Sequence, residues 1–513
     1  MMIEFILAAG FIVPLGNASA ALRDTKTVNM KKELKVWVGP VDNILFPTID
    51  TYSSRAYGRD TVYSAVLGRL LYLDIHGKLH PGLLESWTHS SDHKHWRLKL
   101  RPNLRFHNGR MVEATDLEYS LIRYLISPRN SPGKAMRQQI EGVENLTGGT
   151  SFHSGIISGV KVLDQRTVEV VLKKGDPNFA ANYAGSRDSL VPREAIANDH
   201  FSWKTLPIGA GPYKVVSAQK DGKLVRVEKY AGYGKLSPRS PDTIEFFSGQ
   251  PQTGVQIAMG DRNNPDPVRL KEVALDIPAF VWGIYFNYHS KLGADLRFRK
   301  AIASAVDRSK LLEKLTYASA TSEMVPSVFE GHLGVQSEFN PEKAKRILQE
   351  ISSGDKELVV PIANLDLSSP AYSWIAVAME QLRHVGLRIR TEVTSKPLFD
   401  SNDSESPFFI VGYYPDCDSL TIFRTFREGG PWVTRLSEHD RAYEALLDED
   451  FGALTAARRR DVLEKLGRRF QEQQYAFPLF EQQLTYFIDP ARVEDIGQEY
   501  QRHIMVFERL QLR

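Results

Sequence analysis

A change of periodicity within one short stretch constrains this chain most. Between residues 95 and 101, Trp96, Leu98 and Leu100 alternate with Arg97 and Lys99, the period of two expected of a strand with one buried face. Arg101-Pro102 ends that strand and Asn108-Gly109 supplies a turn. Thr115-Asp116-Leu117-Glu118 then has capping-box spacing, so Thr115 is expected to cap a helix while Glu118 reaches back to the cap amide. Leu117, Leu121, Tyr124 and Leu125 share one face of that helix, leaving Glu118 and Arg123 to the other. A strand, a turn and a helix account for most of the charge. His107, alone beside a turn, reads as a polar loop residue.

The same alternation runs through the chain, with no fixed repeat and no low-complexity block, which sets the class as mixed α/β. Leu34 to Val38 alternate as a strand, and two alternating runs flank Asp221-Gly222, a hairpin signal. Gly209 and Gly211 precede a strand with no lysine at phosphate-loop spacing, so they mark a turn. In the second half Asp295, Asp307 and Asn340-Pro341 start helices, and Gly386 stops one before a strand with Leu387, Ile389 and Val393 inward.

At 513 residues the chain is too long for one ordinary core, and about three domains are expected. The 65 basic and 62 acidic residues leave a net charge of only +3 and are interspersed, which argues against a nucleic-acid footprint. Cys417 is the single cysteine, so an internal disulfide and a Cys-based zinc site are both excluded. Phe5 to Leu15 is apolar and is followed by Ala18-Ser19-Ala20, the pattern of an export signal cleaved near Ala20, although Glu4 stands where a basic residue is usual. No other stretch reaches the roughly eighteen apolar residues of a membrane span.

Catalytic patterns are missing: there is no G-x-S-x-G, no H-E-x-x-H and no Walker lysine. Asp416 and Asp418 flank Cys417, and their charge would raise a thiol pKa rather than lower it. His89, Asp92, His93 and His95 cluster in "THSSDHKHW". On a strand His93 and His95 would point the same way and could share a metal, but Ser90, Ser91 and Asp92 explain the stretch as a polar hairpin turn, the preferred reading. The most informative candidate is "FFIVGYYPDCDSL", residues 408–420. Phe408 to Val411 suits a strand buried on both faces, Gly412 is expected to end it, and ligand clefts in α/β sheets lie at such ends. Tyr413 and Tyr414 would supply flat walls with polar tips, and Asp416 or Asp418 would meet a cationic group. The alternative is a surface loop solvated by its acids.

"PGLLESWTHSSDHKHWRLKLRPNLRFHNGRMVEATDLEYSL", residues 81–121, resembles the signature of the extracellular solute-binding proteins of ABC importers in the peptide and nickel class, family 5. Shorter echoes follow in the family's order: "PIGAGPYKV" at 207, "NYHSKLGADLRFRKAIASAVDR" at 287, "FNPEKAKRIL" at 339 and "EQLRHVGLRI" at 380. The resemblance implies a type II, two-lobed periplasmic binding protein of the large class, with an additional inserted domain and a hinge between lobes. The expected organisation is a signal peptide at 1–20, lobe I from 33–60, 185–260 and 478–513, inserted domain II at 61–184, and lobe III at 261–477. It further implies a non-enzymatic, cofactor-free, monomeric periplasmic protein that captures short peptides and delivers them to permease subunits in the inner membrane.

Family likeness places an aromatic residue three positions before the acid that holds a peptide's α-amine, a spacing that Tyr413 and Asp416 fit. A gapless match of the family's D-P pair to Asp416-Cys417 would instead put Tyr413 at the acid's place. On the other lobe the cleft stretch falls near Arg55 and Tyr57, and Tyr285 on "FVWGIYFNY" is expected to face the cleft. The alternatives are another solute in the same fold (a nickel chelate, haem, an opine or a sugar) or a sensory protein without its own importer.

Overall fold

The computed structural model describes residues 32–39, 44–45, 57–128, 137–184, 188–234, 236–250, 253–259, 264–351, 357–363, 367, 370–394, 406–413, 418–427, 440–497 and 505–513. The expected export segment, 1–20, lies outside them.

Eleven strands build the main sheet: β1 (Glu33–Trp37), β2 (Tyr213–Ala218), β3 (Leu224–Lys229), β4 (Thr243–Phe247), β5 (Ile257–Met259), β6 (Lys271–Phe286), β7 (Ala318–Ala320), β8 (Leu358–Ala363), β9 (Ile389–Thr394), β10 (Phe408–Tyr413) and β11 (Ala476–Ile488). Their order is β9-β8-β10-β6-β11-β5-β1-β4-β3-β2, with β7 beside β11. The expected punctuation forms most of these elements. Gly222, at φ 68°, turns the hairpin from β2 to β3. The side chains of Asp295, Asp307 and Asn340 accept from backbone N–H groups two or three residues on, starting helices Leu296–Ala305, Arg308–Leu312 and Pro341–Ile351. Gly386, at φ 103°, follows helix Ser373–His384. Val393 departs from expectation and is exposed. It lies on the sheet's outer strand, of which Ile389 reaches a core together with Leu387 just before the strand.

The two long strands organise the molecule. Along β6, Leu275 and Ala279 join a first core with β1 to β5, whereas Trp282, Ile284 and Phe286 join a second with β8 to β10, and Val281 and Tyr285 a third on the opposite face. The β6–β11 ladder slips in register between Ala274 and Phe280. Pro278 sits inside that interval and has no N–H to donate. Two lobes with separate cores are thus joined by strands whose pairing is interrupted between them, the geometry of a hinge.

A further core belongs to the inserted domain: a four-stranded sheet (Leu84–His89, His95–Leu100, Thr167–Val171, Val160–Val162) packed on helix Ala114–Ile126. Here the sequence reading needs correction. The helix begins after Glu113, whose N–H donates to Asp116 Oδ2 at 2.9 Å, so Glu113 and Asp116 take the places expected for Thr115 and Glu118. Glu118 and Arg123 are buried, not outward. The cause is that the helix lies between two cores, with Leu117, Leu121 and Leu125 in the inserted domain and Tyr119, Tyr124 and Ile126 in the first lobe. Glu118 is satisfied by Ser154 Oγ (2.6 Å) and Gly155 N–H (2.7 Å).

In the third core, Asp440 caps helix Arg441–Leu447 and accepts from Tyr443 N–H (3.0 Å), Arg469 Nε (2.8 Å) and the Tyr475 hydroxyl. Burial pushes its carboxyl up, but Arg469, Tyr475 and the Tyr443 amide outweigh that and hold it below the usual range. A depressed carboxyl contributes stability that is complete above its unfolded value, about 3.9, and is lost as pH falls through the lower folded value. Asp440→Asn therefore lowers the urea midpoint at pH 7 and removes part of the fall in midpoint between pH 7 and about pH 3.

Candidate ligand-binding site

The candidate stretch 408–420 is described up to Tyr413 and again from Asp418. Strand β10 is buried on both faces, with Phe408 and Ile410 in the second core and Phe409, Val411 and Tyr413 in the third. It pairs antiparallel with β6 from Phe286 to Val281, and its last residue, Tyr413, lies opposite Val281. Just beyond Val281 the β6–β11 ladder loses register. Gly412 does not end the strand, as the sequence suggested; it lies within it opposite Trp282, and a Cβ there would sit 3.1 Å from the indole. Glycine here suits a close approach rather than a turn.

Asp418 stands at the start of the next described helix. Its Oδ1 accepts from Thr421 N–H (3.1 Å) and its Oδ2 from Thr421 Oγ1 (3.0 Å), capping helix Ser419–Arg424. Burial, and then the nearby charge of Asp176, push the Asp418 carboxyl up against the pull of Thr421 and Arg424. Both oxygens are thus engaged locally, at the start of this helix. Tyr414 and Asp416 lie outside the described residues, as do Cys417 and Arg55. Tyr57 opens helix Tyr57–Leu67, but its side chain is not among those described.

Tyr285 is not on an open wall. It is 1% exposed, stacked with Phe409 and Phe426, and its hydroxyl donates to Met324 Sδ at 3.6 Å. Burial alone pushes its pKa well above the usual value. Both faces of β6 are covered from Val281 to Phe286, so the odd-numbered side chains enter the third core. Phe280, half-buried at the register slip and stacked on Trp282, is the aromatic residue of this strand that keeps accessible surface near the hinge. Sequence reasoning passed over it, although Pro278 in "DIPAFVWGIYF" signals the break in pairing.

His89, His93 and His107 of the signature have structural partners. His107 Nε2 lies 3.0 Å from Gly211 O while Gly209 N–H donates to Nδ1 at 3.4 Å, and the ring meets Tyr230 edge-on. Burial pushes its pKa down to about 4, so the ring is neutral at pH 7 and Nε2 is the donor. His93 is in the turn at φ 55° rather than on the strand, so it does not align with His95; its ring lies tilted against those of His89 and Trp96. Among the described residues no three His, Cys, Asp or Glu side chains are placed to hold a metal ion, and no helix is long and apolar enough to cross a membrane.

The sequence model of the bacterial extracellular solute-binding proteins, family 5 Middle, matches residues 78–432. The chain belongs to this family. The family 5 protein is 24% identical over 456 residues to the periplasmic oligopeptide-binding protein OppA of Salmonella typhimurium, covering 82% of each chain. It is 26% identical over 299 residues to the dipeptide-binding protein of Escherichia coli, where the match spans 53% of this chain and about half, 54%, of that protein. The structure of Haemophilus influenzae OppA in complex with the peptide RPPGFSPFR superposes with a TM-score of 0.76 at 16% identity, covering 94% of this chain and 100% of that one. The family 5 protein shares its two-lobed α/β fold.

Proposed function

We propose that this protein is the periplasmic substrate-binding component of an ABC importer, capturing short peptides between its lobes and handing them to a membrane permease. The observation that carries this reading is the site's place in the fold. Strand β10 ends beside the hinge at Tyr413, and the next described residue, Asp418, caps a helix, so lobe closure would enclose a ligand at this end of the strand. Relatives named for dipeptide and oligopeptide binding support the peptide class. Asp416 holds the peptide's α-amine, Tyr414 shapes the wall beside it with Tyr413 packed behind in the third core, and Arg55 with Tyr57 faces the ligand from the other lobe. Extended backbone hydrogen bonds supply sequence-tolerant affinity. No bond is made or broken; binding energy drives closure.

Isothermal titration of the mature protein with a pool of di- to pentapeptides tests this, with nickel and a sugar mixture as comparison ligands. Saturable heat from the peptides alone is expected. Heat from nickel or the sugars alone would overturn the peptide assignment while leaving the binding fold intact.

A further inference from the structure

The inserted domain is welded to one lobe and only touches the other. Helix Ala114–Ile126 places side chains in both the inserted core and the first-lobe core. The inserted core contributes no residue to the two cores of the other lobe among the described residues. Among the described residues, hydrogen bonds and ion pairs join it to that lobe. Gly452 N–H donates to Gly175 O (2.8 Å), Gly175 N–H donates to Asp450 Oδ1 (3.0 Å), and Lys174 Nζ donates to Asp448 O (2.5 Å). Lys94 lies 3.7 Å from Asp450, and Arg424 pairs with buried Asp176 at 3.2 Å.

The centre of this contact admits only glycine. A Cβ on Gly175 would lie 2.0 Å from Asp92 O and 2.7 Å from Gly452 Cα, and one on Gly452 would lie 2.3 Å from Asp92 O and 2.5 Å from Gly175 Cα. Asp92 belongs to the turn that holds His93 at φ 55°, and His93 O accepts from Asp176 N–H (3.2 Å). The "THSSDHKHW" turn, with its suspicious histidines, is thus the bracket of this contact. On the other side Arg424 ends the helix that Asp418 caps. Polar contacts without a shared apolar core are the kind that open and re-form.

We propose that Gly175–Gly452, with the ion pairs around it, is a closure latch: the inserted domain locks onto the far lobe when the hinge closes and must release before it opens. The latch also holds helix Ser419–Arg424 through Arg424, and it adds a second contact to closure besides the ligand itself. It rests on the two-lobed hinge and not on the identity of the solute.

Hydrogen exchange and small-angle X-ray scattering on the full chain without peptide test it. With Gly452→Val, exchange in segments 174–176 and 450–453 accelerates by at least about tenfold and the radius of gyration rises. The inserted sheet at 84–100 and strand β10 keep wild-type protection. Wild-type protection in both segments together with an unchanged radius would overturn the latch. Should Gly452→Val also expose the third core, Lys174→Glu, facing Asp448, decides. Loosening of the same two segments, reversed by adding Asp448→Lys, supports the latch; no loosening overturns it.

Discussion

Asp188→Ala destabilises the protein by about 3–5 kcal/mol, the range for removing one partner of a buried ion pair. Arg137 and Asp188 have side chains 2% and 4% exposed and are paired with each other. The guanidinium also donates to Leu121 O (2.6 Å) and lies over the Tyr124 ring, 4.2 Å from its centre. These contacts keep the arginine in place when the aspartate is gone, so the variant retains a buried cation without its counter-charge. The cost comes from that stranded charge more than from the lost attraction. Replacing both partners, Arg137→Met with Asp188→Leu, is therefore expected to recover most of the loss. Urea midpoints at constant slope measure both. A double variant as unstable as Asp188→Ala would show that the pair contributes net stability rather than avoiding a penalty. Tyr124 sits on the helix shared by two cores, so the loss is expected in the unit formed by the inserted domain and the first lobe.

Asp416→Ala weakens binding of an unblocked di- or tripeptide by at least about tenfold, equivalent to about 1.4 kcal/mol, because the ligand's ammonium would then be enclosed without a partner. The prediction has an internal control in the ligand. An N-acetylated peptide binds wild type weakly and gains nothing from Asp416, so the variant treats free and acetylated peptides nearly alike. Titration calorimetry of both peptides against both proteins closes the cycle. Undiminished affinity for the free peptide in Asp416→Ala would remove Asp416 from the role. Tyr413 is the acid's replacement in the gapless register, and its burial in the third core suits packing better than contact with a charge.

Local structure was legible wherever one residue has one physical job. Asp295, Asp307 and Asn340 cap because an oxygen two or three residues before an amide can do little else, and Gly222 turns because a positive φ suits it. What the pattern could not tell was how many cores an element serves. Helix Ala114–Ile126 reads as one-sided, yet a second core covers its polar side and buries Glu118 and Arg123. Tyr285 failed for the same reason: parity along β6 says which face it takes, but not that both faces are closed. Gly412 read as an end because nothing local reveals the Trp282 indole against it. The Gly175–Gly452 contact was invisible, since it joins residues 277 positions apart in the chain.

The central claim, capture of short peptides, is tested most directly by native mass spectrometry of the mature protein taken from a periplasmic extract, weighed before and after mild denaturation. The account predicts a released ladder of masses that fit two- to five-residue peptides, with the stripped protein rebinding synthetic members of that ladder. Release of a single metal, cofactor or sugar mass, with no rebinding of peptides, would contradict it.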